Sequence, residues 1–213
     1  MVLNIYCFLV KDFDIFYNAG DGAAFCCCKS EGFDCLAWQL IQHRASLGGG
    51  GEVYIALCAK VGMDKLSLKY DLDDAGWATI TLANSSESIS RPVSYLHDSL
   101  LDLVQMAIDL KGGKKECVAI FMDEPGEYQL VIQSFESHVS YEFRQYQDWE
   151  SWGMWPKEDF SLLLSGQTNL ESCVAQITDI ASHLYKNIGP TKYKEMWVEH
   201  EFPSEEFHRL INA

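Results

Sequence analysis

Two blocks of strand-period alternation enclose one block of helix-period repetition in the middle of this chain, and that order limits most of what it can fold into. Leu66, Leu68, Tyr70 and Leu72 share one parity, as do Ala78, Ile80 and Leu82 after Asp73-Asp74-Ala75-Gly76. Alternation at period two lines such residues along one face of a strand, and the Asp/Gly segment supplies turn chemistry. A hairpin with one buried face is expected. The polar stretch Asn84–Arg91 reads as a loop closed by Pro92. Leu100, Leu103, Val104, Ala107 and Ile108 then recur at i, i+3, i+4, i+7 and i+8, the apolar stripe of a helix. Ser94 or Asp98 can cap its start and Gly112-Gly113 can end it.

A β-meander follows. Cys117–Met122 and Tyr128–Gln133 flank Glu124-Pro125-Gly126-Glu127, whose proline and glycine suit a type II turn. Val139, Tyr141 and Phe143 alternate with polar residues and predict a third strand, half exposed. Residues 148–166 read as aromatic and irregular. A second long helix is predicted over 169–188, with Thr168 and Glu171 as a capping-box pair and Gly189-Pro190 as its stop. Two short helical pieces come last. Hairpins cannot provide the crossovers of a parallel sheet. The fold class expected is therefore α+β: an antiparallel sheet, hairpin plus meander, with two long helices packed on one face.

The N-terminal part is less regular. Asn4–Val10 reads as a buried strand, 34–47 as a helix and Val53–Ala59 as a central strand. The chain is expected to form a single α+β domain over 1–213. The Gly48–Gly51 run is the place for a subdivision into 1–47 and 52–213.

Charge narrows the choice of partners. Sixteen Lys and Arg stand against 31 Asp and Glu, a formal charge of −15. Nucleic acids and anionic membranes attract clustered positive charge. The one dense basic group, Lys111, Lys114 and Lys115, is too small for that, so neither is an expected partner. The field would instead steer in a basic protein. No run of 18 apolar residues is present to span a bilayer. The N-terminal ten residues lack a basic region and meet Lys11-Asp12, so no signal peptide is expected. With that, eight cysteines read as free thiols in a reducing cytoplasm.

Four groups of residues carry candidate chemistry. Cys26, Cys28 and Cys35 are candidate metal or redox ligands, but zinc prefers paired knuckles, and none is completed here. A buried strand using cysteine as a small apolar residue is the favoured reading, with no cofactor. His97-Asp98 places an imidazole beside a carboxylate, the pair general-base catalysis uses, and a small enzyme built on His97 is the alternative it supports. No nucleophile elbow, phosphate loop or HExxH motif accompanies it. Asp123, Glu124 and Glu127 crowd one hairpin tip, either as a solvated turn or as contacts for a basic partner. Trp149, Trp152 and Trp155 recur every third residue among Asp148, Glu150, Glu158 and Asp159. Covered, they form a lid on the open sheet face; bare, they form a patch rich in hot-spot residue types.

Ser-Tyr-Leu-His-Asp-Ser-Leu-Leu-Asp-Leu from Ser94, followed by Asp-Glu-Pro-Gly-Glu-Tyr from Asp123, resembles a set of uncharacterised bacterial proteins of unknown function. The resemblance covers residues 94–143 and its motifs are structural. Small acidic chains of this kind are also similar in style to immunity proteins, which neutralise toxins by binding them. The expected role is a non-enzymatic, acidic module that binds a protein through Trp149, Trp152, Trp155, Asp123, Glu124 and Glu127.

Overall fold

The computed structural model describes residues 5–10, 13–18, 41–47, 51–59 and 65–212. The chain divides into two compact units, 1–62 and 63–213. In the first unit, β1 (Ile5–Val10), β2 (Phe13–Asn18), β3 (Ile41–Leu47) and β4 (Gly51–Ala59) form an antiparallel sheet in the order β1-β2-β4-β3. β1 and the interior β4 fall on the apolar runs that predict strands. Ile41–Leu47 does not continue a helix over 34–47: it pairs with β4, Leu47 opposite Gly51. A β-rich partner across a short glycine connection outweighs a weak helical period. The Gly48–Gly51 run thus joins two paired strands, and the boundary between units comes after Gly62. Cys26, Cys28 and Cys35 lie outside the described residues.

The second unit begins with a three-stranded meander, β5 (Ser67–Leu72), β6 (Trp77–Ala83) and β7 (Ser88–Ser94). β7 replaces much of the loop expected over 84–91. The Asn84 side chain accepts from Ser86 N and Glu87 N at 2.9 and 3.0 Å, which turns the chain early enough for Ser88 to pair with Ala83. Pro92 is tolerated because β7 is an edge strand. Tyr95 N donates to Gly76 O, so odd-numbered residues of β7 face β6 and the missing N–H of Pro92 faces away.

Helix α1 (Ser99–Lys111) starts where Asp98 accepts from Leu101 N at 3.2 Å and closes with Gly112 N on Ile108 O. Four antiparallel strands follow in the order β11-β10-β9-β8: β8 (Glu116–Met122), β9 (Glu127–Phe135), β10 (His138–Tyr146) and β11 (Ser161–Asn169). The β8–β9 turn is not type II. Its Glu124–Pro125 bond is cis, with Pro125 third in Asp123–Gly126, as in a type VI turn. β11 occupies the end of the stretch read as irregular. Its pairing skips Leu163 between Phe143 and Arg144, and that bulge breaks the alternation that would reveal a strand.

Helix α2 (Leu170–Asn187) is capped by Asn169, which accepts from Ser172 N at 3.0 Å; Thr168 is a buried β11 residue, one position too early to cap. Short helices α3 (Pro190–Trp197) and α4 (Ser204–Asn212) complete the unit. α1 packs on β8 and beside α2, which crosses β10, β11 and β5. Between helices and sheet lie Ala119, Phe121, Leu130, Ile132, Val139 and Phe143, all fully buried. Each large apolar side chain removed from water there contributes about 1.5–3 kcal/mol. Gln176 of α2 completes the free edge of β5: its side chain accepts from Leu68 N and donates to Leu66 O, both at 2.8 Å. The fold is α+β, with both long helices on one face of the four-stranded sheet. No described helix is long and apolar enough to cross a membrane.

Candidate functional site

The opposite face of the four-stranded sheet carries the residues of interest. The register puts Met122, Glu127, Gln129, Val131 and Tyr146 on this face, and all five are buried. The segment 147–160, which links β10 to β11, is fastened to Glu127, Gln129 and Tyr146 of this face. It includes a 3₁₀ turn, Glu150–Trp152.

Glu127 pins this lid. Only 1% exposed, its carboxylate accepts from Gln129 Nε2 at 2.6 Å, from Ser151 N at 3.1 Å and from Ser151 Oγ at 2.5 Å. Gln129 Nε2 also donates to Glu150 Oε2 at 2.7 Å. Trp149 Nε1 donates to the carbonyl of Asp123 at 3.1 Å, and Tyr146 Oη to the carbonyl of Lys157 at 3.2 Å. A buried charge is stable only when such donors surround it. Glu127 therefore belongs to the mounting of the lid and is not available to a docking partner.

The lid is both a cover and a bare patch. Trp149 and Trp155 are half-buried, and Trp155 Nε1 donates to Asp159 O at 2.7 Å. Trp152 packs edge-on against Trp149 with ring centroids 4.7 Å apart, yet remains 53% exposed. Met154 is 59% exposed. Pattern reading singles out the tryptophans but not Met154, nor the Ser151, Gln129 and Glu150 contacts that hold them; those lie across a sheet face and leave no local signal.

The other two tip carboxylates have structural partners. Asp123 accepts from Tyr128 Oη at 3.0 Å and from Glu124 N at 2.8 Å. Burial, then the Asp123 hydrogen bond and charge, push the Tyr128 phenol up to about 12 against the opposing charge of Arg91. Glu124, exposed, accepts from the buried Ser94 Oγ at 2.8 Å.

His97 makes its hydrogen bond with a carboxylate other than that of its neighbour Asp98. Asp98 caps α1, while His97 Nε2 lies 2.7 Å from Asp102 Oδ2, one turn into the helix. Asp102 Oδ2 also accepts from Ile120 N at 3.0 Å, on the outer edge of β8. Burial alone would lower the His97 pKa. The Asp102 hydrogen bond and the charges of Asp102, Asp98 and Glu127 outweigh it and hold the imidazole above its usual value. His200 Nε2 lies 2.9 Å from the Tyr95 carbonyl, and its Nδ1 lies 3.9 Å from Asp98. The group fastens the start of α1 to β8 and to the α3–α4 loop.

Among the described residues, no three His, Cys, Asp or Glu side chains gather to hold a metal. Cys117 and Cys173 are buried in the core, and burial pushes the Cys173 thiol up to about 12, where it serves as an apolar filler. No family model matches the chain, and neither does any curated protein or solved structure.

Proposed function

We propose that the protein is a non-enzymatic binding module that presents the 147–160 lid, with Trp152 and Met154 exposed and Trp155 half-buried beside them, to a basic protein partner. One observation carries this reading: an exposed tryptophan and methionine stand on a segment fixed from beneath by a buried carboxylate. Exposed aromatics held in one geometry lose little conformational freedom on binding, which leaves more of their burial energy as affinity. Asp148, Glu158 and Asp159 flank the patch, and the chain carries −15 overall, so a cationic surface is its electrostatic complement. Asp123 and Glu124 are the tip carboxylates placed to extend that surface. An immunity-like role, neutralising a cationic toxin in the cytoplasm by covering it, is the form of this reading that matches the charge.

Affinity capture from native lysate tests it, with the full chain as bait beside a Trp152→Ala/Trp155→Ala variant. The wild type is expected to enrich a protein of high isoelectric point that the variant loses. Capture of nothing, or equal capture by both baits, overturns the reading.

A further inference from the structure

The strand register shows a second feature next to the lid. Ser134 N donates to Lys115 O, so even-numbered residues of β9 direct their backbone groups at β8 and odd-numbered ones at β10. Carrying the alternation across β10 makes Val139–Thr168 and Tyr141–Gly166 the hydrogen-bonded pairs with β11. Ser165 and Gln167 therefore turn their N–H and C=O groups outward. β11 is an edge of its sheet, and no described residue hydrogen bonds to those outward groups.

Edge strands are normally guarded by charge, proline, a bulge or a cover. β11 has the bulge at Leu163, but Ser161–Asn169 contains no charged residue and no proline, and Leu162 is 52% exposed. The other edge of this sheet is treated differently: Asp102 from α1 accepts from the outward Ile120 N of β8. The sequence leading into and out of β11 is acidic. Residues 147–171 hold five carboxylates, Asp148, Glu150, Glu158, Asp159 and Glu171, against Lys157 alone.

Building on the lid as the docking patch, we infer that the partner contributes an extended, lysine- or arginine-rich segment that adds to β11 as a further antiparallel or parallel strand beside Ser165 and Gln167. Main-chain hydrogen bonds to those two residues supply the attachment, and the acidic flanks select positive side chains. The lid lies at the start of the same strand, so one segment can leave β11 and meet Trp155 and Trp152.

The test uses the full chain and a nine-residue peptide of alternating lysine and valine, with a glutamate–valine peptide for comparison. Amide exchange is followed residue by residue. The lysine peptide is expected to slow exchange at Ser165 and Gln167 at least about ten-fold and to bind at least about ten-fold more tightly than the glutamate peptide. Ser165→Pro, which removes an outward N–H and no internal ladder bond, is expected to weaken binding by a similar factor, while Ser165→Ala leaves it unchanged. The exchange measurement on the wild type stands even if the proline variant does not fold. Binding without protection at Ser165 and Gln167, equal binding of the two peptides, or protection already present in a self-associated protein overturns the inference. None of those results touches lysate capture that depends on Trp152 and Trp155, so the two readings fail separately.

Discussion

Glu127→Ala should loosen the lid more than it loosens the fold. Three hydrogen bonds end on the Glu127 carboxylate, and a net hydrogen bond to a charged group is worth about 1.5–3 kcal/mol. The three do not add. Ser151 is exposed, so water replaces the acceptor for its N–H and O–H once the carboxylate is gone. Gln129 Nε2 keeps Glu150 as a second acceptor. What remains is about one charged hydrogen bond together with a small cavity, partly offset because the desolvated carboxylate is gone too. The expected loss is about 2 kcal/mol, a factor of about 30 in the opening equilibrium. Glu127→Gln should cost about half as much, since its carbonyl still accepts and its amide can donate to Ser151 Oγ. Urea titration gives the global change and amide exchange gives the local one. Ser151 N should exchange faster by more than the global change explains, and acrylamide should quench the lid tryptophans more readily. A Glu127→Ala protein with an unchanged urea midpoint and unchanged Ser151 exchange would refute the assignment of Glu127 as the pin.

Three further outcomes follow from the same contacts. His97 binds its proton more tightly in the folded protein than in the unfolded chain, so this stabilisation is complete below about pH 6.5 and is lost as pH rises through the higher folded value. Urea midpoints taken across that range should fall with pH in the wild type and fall less in Asp102→Asn; identical profiles would count against the pair. Gln176→Met should cost about 1–3 kcal/mol by leaving Leu68 N–H and Leu66 C=O unpaired under α2, read as a lower urea midpoint with an unchanged slope. Gly126→Ala should cost more than about 1 kcal/mol, because φ is +103° and the new Cβ would stand 2.6 Å from the Tyr146 carbonyl; a calorimetric midpoint equal to wild type would contradict this.

What could be read in advance depended on whether the deciding chemistry was local. The α1 stripe, its Asp98 cap and the β5–β6 parity are all set by residues a few positions apart, and the structure has them. β7 and β11 were hidden for opposite reasons. β7 carries a proline that only an outward-facing edge position excuses, and β11 carries a bulge that shifts its parity. Thr168 reads as the cap of α2, but it is paired with Val139 inside β11, and the next residue, Asn169, takes the role.

The lid was legible in part. Tyr128, Leu130 and Ile132 face the helices, while the other parity is mostly polar, Glu127, Gln129 and Gln133, with Val131 as its one buried apolar residue; that valine is the only local sign of a cover on this face. Glu127 shares that parity and is buried, and a buried carboxylate needs donors from whatever covers it. Ser151 and Gln129 meet that need. The contacts that bury the carboxylate also hold the segment carrying Trp152 and Met154, and it is this fixed arrangement on which the proposed binding role draws.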